Sequence, residues 1–367
     1  MSIVFKHKNV AFSLSVSEIG NEDLQLKIQH ALKDVFKGFI CSNSEPIALE
    51  FIFTDTISSF ITDKEFVRVK NVKVGKNQTH FKDGELNFLI NNSNKFKVYI
   101  NVYDNETLKS SLRIFNKAFK NNIELQITTF YYRIFLLFTQ IWNLENECSY
   151  IHASAVEING KSILFTADSG VGKSSLLFKL SQDDTVKFIA DDLTIISKQA
   201  ESYYQGRCLS VKPYHLRFYD FLADRLSLLM SGMQKLQWKV LKDNRLTYRI
   251  SPTDLFTNVS EKSKVKSIIH LCNHDKNTFE IKDVTIEELI GFTVPILTNE
   301  LFLANHKVNT LASLPNSPFR STAKIYKKSE NVFNSAFKHV SLKLVLVPYM
   351  SNPNDLYDFL KSEGCLN

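Results

Sequence analysis

The chain has 367 residues, with 45 Lys plus Arg against 38 Asp plus Glu and a formal net charge of +7. That length suits about two domains, and a 44% hydrophobic share with 12% aromatics excludes a disordered chain. Only 11 glycines, against a usual share of about 7%, exclude collagen-like and glycine-rich classes. The longest apolar run, Phe130–Trp142, carries Arg133 and Gln140 and falls short of the ~20 residues a membrane span needs. Met1–Lys8 lacks the apolar stretch of a secretory signal. The five cysteines form no CxxC pair, so neither a zinc site nor a disulfide framework is expected. A cytoplasmic protein without membrane or nucleic-acid partners is the expectation, since the positive charge is spread rather than clustered. Self-association is left open.

Residues 1–145 read as a small α+β domain with connecting helices. Ala11–Val16, Pro46–Phe53, Phe66–Val74, Leu86–Ile90 and Phe96–Val102 are strand-like runs. Asp23–Phe36 has the apolar spacing of an amphipathic helix. Asp83-Gly84 and Asn91–Asn94 are turn chemistry, so 66–102 is expected to be an antiparallel meander. Leu108–Phe119 and the apolar Ile123–Leu144 are predicted helices, the second buried between layers. Residues 146–367 form the second predicted domain. His152–Ile158 and Ser162–Thr166 flank Asn159-Gly160, a strong hairpin signal. Strands are expected at 186–190, 193–196, 209–211, 247–250, 265–272 and 342–347, and helices at 216–230, 285–291, 297–312 and 354–360. Residues 315–332 read as a mobile surface segment.

The strongest chemical signal is Ala167-Asp168-Ser169-Gly170-Val171-Gly172-Lys173-Ser174-Ser175, between a predicted strand and a predicted helix. It fits the phosphate-binding pattern G-x-x-x-x-G-K-[ST] except that Ala167 replaces the first glycine. In such a loop, successive N–H groups hold an anion at a helix N-terminus. Residues 168–175 are therefore the candidate nucleotide-binding segment. Lys173, read as a surface cation without a packing role, reaches the β- and γ-phosphates, and the Ser174 hydroxyl is a candidate Mg²⁺ ligand. Asp191-Asp192 follows the apolar run Phe188–Ala190, where one acid can serve Mg²⁺ and the other can face an incoming hydroxyl. His152 stands at the start of the hairpin strand leading to the loop. Arg207, Lys212 and Arg217 are candidates for contact with phosphate or acceptor, although each is first of all a surface charge. Asp254 reads as a cap, and His270, His274 and Asp275 straddle a predicted strand end, where a hairpin turn explains them.

Ile151–Lys161, Ala167–Ser175 and Phe188–Leu193 together resemble the catalytic domain of the HPr kinase/phosphorylase family. The resemblance is closer to the HPr-kinase-related proteins of peptide-tailoring gene clusters, lasso-peptide kinases among them. It is carried by 151–197; residues 1–145 do not resemble that family's regulatory domain. It implies a P-loop kinase domain with a mixed, largely antiparallel-edged central sheet flanked by helices, so that the whole chain is α+β followed by α/β. It also implies that Lys173 binds phosphates, Ser174 and Asp191 hold Mg²⁺, Asp192 is the general base and His152 orients it. The expected activity is ATP- and Mg²⁺-dependent phosphoryl transfer to a hydroxyl, with a serine of a peptide or protein as the first choice of acceptor. The alternatives are a kinase for a small-molecule hydroxyl and a nucleotide-binding regulator that transfers nothing.

Overall fold

The computed structural model describes residues 2–7, 10–41, 47–69, 72–83, 86–91, 96–103, 122–241, 246–303 and 322–367. The helix expected at Leu108–Phe119, most of that at 297–312, and residues 315–321 lie outside the described residues. The chain divides into two compact units, Met1–Asn146 with Thr298–Lys328, and Glu147–Leu297 with Ser329–Asn367. The segment 298–328, expected from sequence in the second domain, belongs to the first unit.

The first unit is built on an eight-stranded sheet of β1 (Ser2–His7), β2 (Val10–Glu18), β3 (Ile47–Thr54), β4 (Val67–Val69), β5 (Val72–Val74), β6 (Gln78–Asp83), β7 (Leu86–Asn91) and β8 (Phe96–Asn101). Its order is β1-β2-β3-β8-β7-β6-β5-β4. The run from β4 to β8 is the expected antiparallel meander, whereas β2 and β3, and β3 and β8, pair in parallel. Helix α1 (Glu22–Val35) is capped by Asn21, whose side chain accepts from the Leu24 N–H at 3.0 Å. The apolar segment 122–145 is helical throughout: α2 (Asn122–Phe130), a π turn (Tyr131–Phe135) and α3 (Leu136–Glu145). It is core, as its composition implied. Phe135 packs 4.8 Å from Phe12 and 5.0 Å from Phe36 between ring centres, and Phe130 packs 5.2 Å from Phe51.

The second unit holds β9 (Cys148–Ile151), β10 (Ala153–Ile158), β11 (Lys161–Ala167), β12 (Lys187–Ala190), β13 (Thr194–Ser197), β14 (Glu201–Tyr203), β15 (Leu209–Val211), β16 (Tyr248–Ile250), β17 (Asn258–Val259), β18 (Lys262–His274), β19 (Glu280–Asp283) and β20 (Ser341–Pro348). Ten of these form one mixed sheet, in which β17-β12-β10-β11-β18-β14-β13-β9 are neighbours and β20 joins β18 to β19. Asn159 and Gly160, at φ 51° and 75°, make the expected tight turn between β10 and β11. The strand expected from His152 is interrupted there: β9 pairs with β13, while β10 pairs with β11 and β12. His152 is the corner where the chain changes partners, and the Thr194 hydroxyl fixes it by donating to the Ala153 carbonyl at 2.7 Å.

Helices α4 (Lys173–Leu180), α5 (Asp220–Leu229), α6 (Gly232–Leu241), α7 (Ile286–Thr298), α8 (Thr322–Ala336) and α9 (Pro353–Ser362) follow. Thr322–Ala336 is helical where the sequence reading expected a mobile segment; its buried Ile325, Val332, Phe333 and Ala336 give it the apolar stripe of an amphipathic helix. The helix expected over 216–230 begins as a tight turn at Pro213–Arg217 and continues as α5. Among the described residues, no helix is long and apolar enough to cross a membrane.

Candidate functional site

Strand β10 is antiparallel to both β11 and β12, so those two run the same way; β18 and β20 run parallel to β11. One edge of the sheet therefore collects the C-terminal ends of β12, β11, β18 and β20 and the start of β10. The loop 168–172, Asp191 and Asp192, and His152 lie along this edge because β11 and β12 end there and β10 begins there.

Strand β11 ends at Ala167, whose pairing with Leu271 keeps it in regular β structure. An extended residue does not need glycine's freedom, which explains why alanine serves at the head of the motif. Gly170 and Gly172 do need it, at φ 89° and 119°. Gly172 is the N-cap of α4, and the loop 168–172 brings the chain from strand to helix with the helix N-terminus on this edge.

Lys173 is not the surface cation expected. It is 6% exposed, and its Nζ donates to the carbonyls of Ala167 at 2.8 Å and Asp168 at 3.1 Å. The side chain bridges the two ends of its own loop. Its charge also acts on two buried imidazoles, His152 and His270. His270, within the strand expected over 265–272, lies inside β18, where its Nδ1 and the Thr166 hydroxyl share a hydrogen bond of 2.7 Å and its ring stacks on Phe292. A lone polar residue inside the apolar run Ile268–Leu271 was the available signal, but only strand register puts it beside Thr166.

Asp191 and Asp192 have separate surroundings. Asp191 is buried, and its Oδ1 accepts from the hydroxyls of Ser154 at 2.9 Å and Ser174 at 3.1 Å. Burial raises its pKa, the negative charge of Asp192 adds to this, and Arg207 and the two serines oppose it. The side chain of Asp192 is 35% exposed; its Oδ2 is ion-paired with Arg207 Nη1, and its Oδ1 lies 3.4 Å from His152 Nε2. Burial would raise this carboxyl as well, but Arg207, then His152 and Lys173, hold it below the usual range. His152 is 2% exposed, and neither ring nitrogen has a hydrogen-bond partner among the described residues. Burial, reinforced by Lys173, lowers its pKa to about 4, so the ring is neutral near pH 7.

Of the three cations named from sequence, Arg207 is the one paired with the carboxylates. Its neighbour Gly206 adopts φ 87°. Lys212 is half-buried, with its N–H donating to His215 Nδ1 at 3.0 Å, and Arg217 is exposed. Both lie in the segment of Tyr214, whose hydroxyl is raised in pKa by burial and then by the charge of Asp191. The sequence reading passed over Ser154, Thr166 and Tyr214, since nothing in their local sequence marks them.

The donor set of Ser174 and Asp191 is hard oxygen, as Mg²⁺ requires. A buried carboxylate whose recorded donors are two hydroxyls has room for a cation's charge. Among the described residues, no cluster of three His, Cys, Asp or Glu side chains suits a metal. Any cation here would take its remaining ligands from water or a ligand's oxygens.

No protein-family model and no curated protein matches this chain. Among solved structures it is similar to the Hpr(Ser) kinase/phosphatase from Coxiella burnetii. That match has 11% identity and a TM-score of 0.28, and covers 59% of this chain and 97% of the other.

Proposed function

We propose that the chain is a nucleotide- and Mg²⁺-dependent phosphotransferase that moves the terminal phosphoryl group of ATP to a hydroxyl acceptor. The observation that carries this reading is the split between the two adjacent acids. Asp191 is engaged by the Ser174 hydroxyl at the head of the loop helix, while Asp192 stands apart with Arg207 and His152. A regulator that only binds nucleotide has no use for the second arrangement.

In this reading the N–H groups of 168–175 and Lys173 hold the phosphates. Ser174 and Asp191 would hold Mg²⁺, which when bound neutralises phosphate charge. Lys173 gives up its loop carbonyls to reach the phosphates. Asp192 accepts the proton of the acceptor hydroxyl as the new O–P bond forms and the bond from Pγ to the bridging oxygen breaks, releasing ADP. Arg207 leaves Asp192 for the charge on the transferring group, which frees the carboxylate at the moment it is needed. Neutral His152 then supplies one N–H to orient it. A serine of a peptide or protein is the proposed acceptor, on the sequence resemblance, with the segment 212–217 along its approach.

The test is Asp192→Asn. Its affinity for Mg·ATP should stay near wild type, while ADP formation and transfer to a pool of serine peptides and small hydroxyl compounds fall by about 10²–10⁴-fold. Turnover within a few-fold of wild type would remove Asp192 from the chemistry.

A further inference from the structure

The five strand ends on the active edge stand in the order β12, β10, β11, β18, β20. The loop leaves the middle strand. The two acids end β12, two strands to one side, where Asp191 meets Ser174 at the start of α4, and the turn after β20 lies two strands to the other, about 10 Å from the end of β11 at about 4.8 Å per strand. If the terminal phosphate meets Asp191 and Asp192, as the proposed function requires, the rest of a nucleotide extends the other way, toward β18 and β20.

That end carries an unusual pair. Tyr349 is 72% exposed, and Met350 at 87% is the most exposed large apolar side chain among the described residues. Met350 also adopts φ 61°, a conformation rare for a bulky residue. The turn is held firmly. The Tyr349 N–H donates to the His274 carbonyl at 3.0 Å, and the Ser351 N–H donates to the Pro348 carbonyl at 3.1 Å. Asn352 then caps α9, and Leu356 of that helix lies 3.8 Å from the position of a Cβ on Gly172. Turn and loop thus belong to one packed structure. On β18, between the two, His274 Nε2 is buried and has no hydrogen-bond partner among the described residues.

We propose that Tyr349, with Met350, is the platform on which the base of the bound nucleotide stacks. Every base offers a π face, and aromatic stacking tolerates base identity; a thioether adds a soft, polarizable contact. The platform touches the face of a base rather than its edge, so ATP and GTP should bind alike. The inference rests on the phosphate-loop reading of the preceding subsection.

The experiment titrates the full chain with Mg·ATP, Mg·GTP and Mg·tripolyphosphate by calorimetry. Tyr349→Ala should weaken ATP and GTP roughly tenfold or more, with tripolyphosphate changed by less than about twofold, and Tyr349→Phe should restore ATP affinity. Retained tripolyphosphate binding shows that the variant is folded. Tyr349→Ala that leaves ATP untouched, or weakens ATP and tripolyphosphate equally, overturns the platform. So does a wild-type chain that binds ATP no better than tripolyphosphate, an outcome that leaves the loop reading standing. A wild-type chain that binds neither ligand removes the loop reading and the platform with it.

Discussion

Asp191 and Asp192 are one peptide unit apart, and the backbone between them is what separates their roles. Asp192 adopts φ 72°, and the Leu193 N–H donates to the Asp191 carbonyl at 2.9 Å, closing a three-residue turn centred on Asp192. Such a conformation costs about 1–3 kcal/mol and tends to persist at functional positions. Here it turns one carboxylate toward Ser154 and Ser174 and the next toward Arg207. Asp191→Asn should therefore remove the dependence of nucleotide binding on Mg²⁺ and raise the melting temperature. The Asp191 pKa is raised in the folded state, so the wild-type deficit is present when the carboxylate is ionised. The gap between the two proteins should be widest near neutral pH and close as pH falls through that raised pKa toward the ordinary carboxylate range. A variant that melts below wild type at neutral pH contradicts this. For Asp192 the sign is opposite, because Arg207 holds its pKa down. Arg207→Gln should move the acid limb of the rate profile to higher pH while lowering the rate, and an unmoved limb would show that Asp192 does not set it.

At the scale of elements, the hairpin β10–β11, the loop and α4 form one continuous device, and the hinge of that device is Gly172. A methyl group there would meet Leu356 at 3.8 Å, an ordinary van der Waals contact. The obstacle to Gly172→Ala is φ 119° rather than a clash, with a strain of about 1–3 kcal/mol. The expected result is a lower melting temperature together with lost Mg·ATP affinity. Gly160→Ala is the comparison: it places alanine at φ 75° with nothing within 4 Å, in the hairpin turn at the far end of β11. It should lower stability and leave nucleotide binding intact. Equal nucleotide affinity in the two variants would mean that the loop conformation is not what binds phosphate.

At the scale of the molecule, the second unit carries a set of buried neutral imidazoles. Burial lowers His152 and His270 to about 4 and His215 to about 3, with Lys173 acting on the first two and Lys212 on the third. A depressed histidine contributes stability that is full above its unfolded value of 6.5 and is lost as pH falls through that value toward the folded one. Each contributes up to about 1.4 kcal/mol per pH unit across that window. The two tryptophans divide between the units, Trp142 in the first and Trp238 in the second. Urea unfolding followed by Trp238 in a Trp142→Phe background should shift steeply to lower urea from about pH 7.5 to about pH 5. A midpoint that does not move over that range would show that these imidazoles are already solvated.

Much of this was written locally in the chain. Asn159-Gly160 demands a tight turn, the apolar segment 122–145 demands burial, and Gly-Lys-Ser after a strand demands a loop at a helix start, because each depends on neighbours a few residues apart. The acids at 191 and 192 were legible for the same reason, as polar residues ending an apolar strand. What the sequence did not determine is everything set by register between distant strands. Parallel pairing of β11 with β18 puts His270 against Thr166, 104 residues earlier. The change of partners between β9 and β10 buries His152 at a corner. Arg207, from the segment between β14 and β15, pairs with Asp192, and a turn after β20 joins the loop's edge from the far end of the chain. Lys173 shows the same limit at a single residue: its type and place were plain, but its burial depended on carbonyls that only the folded loop turns inward. Local propensity acts over one or two turns of chain, whereas the partners of a buried charge are chosen by which strands the whole sheet makes neighbours.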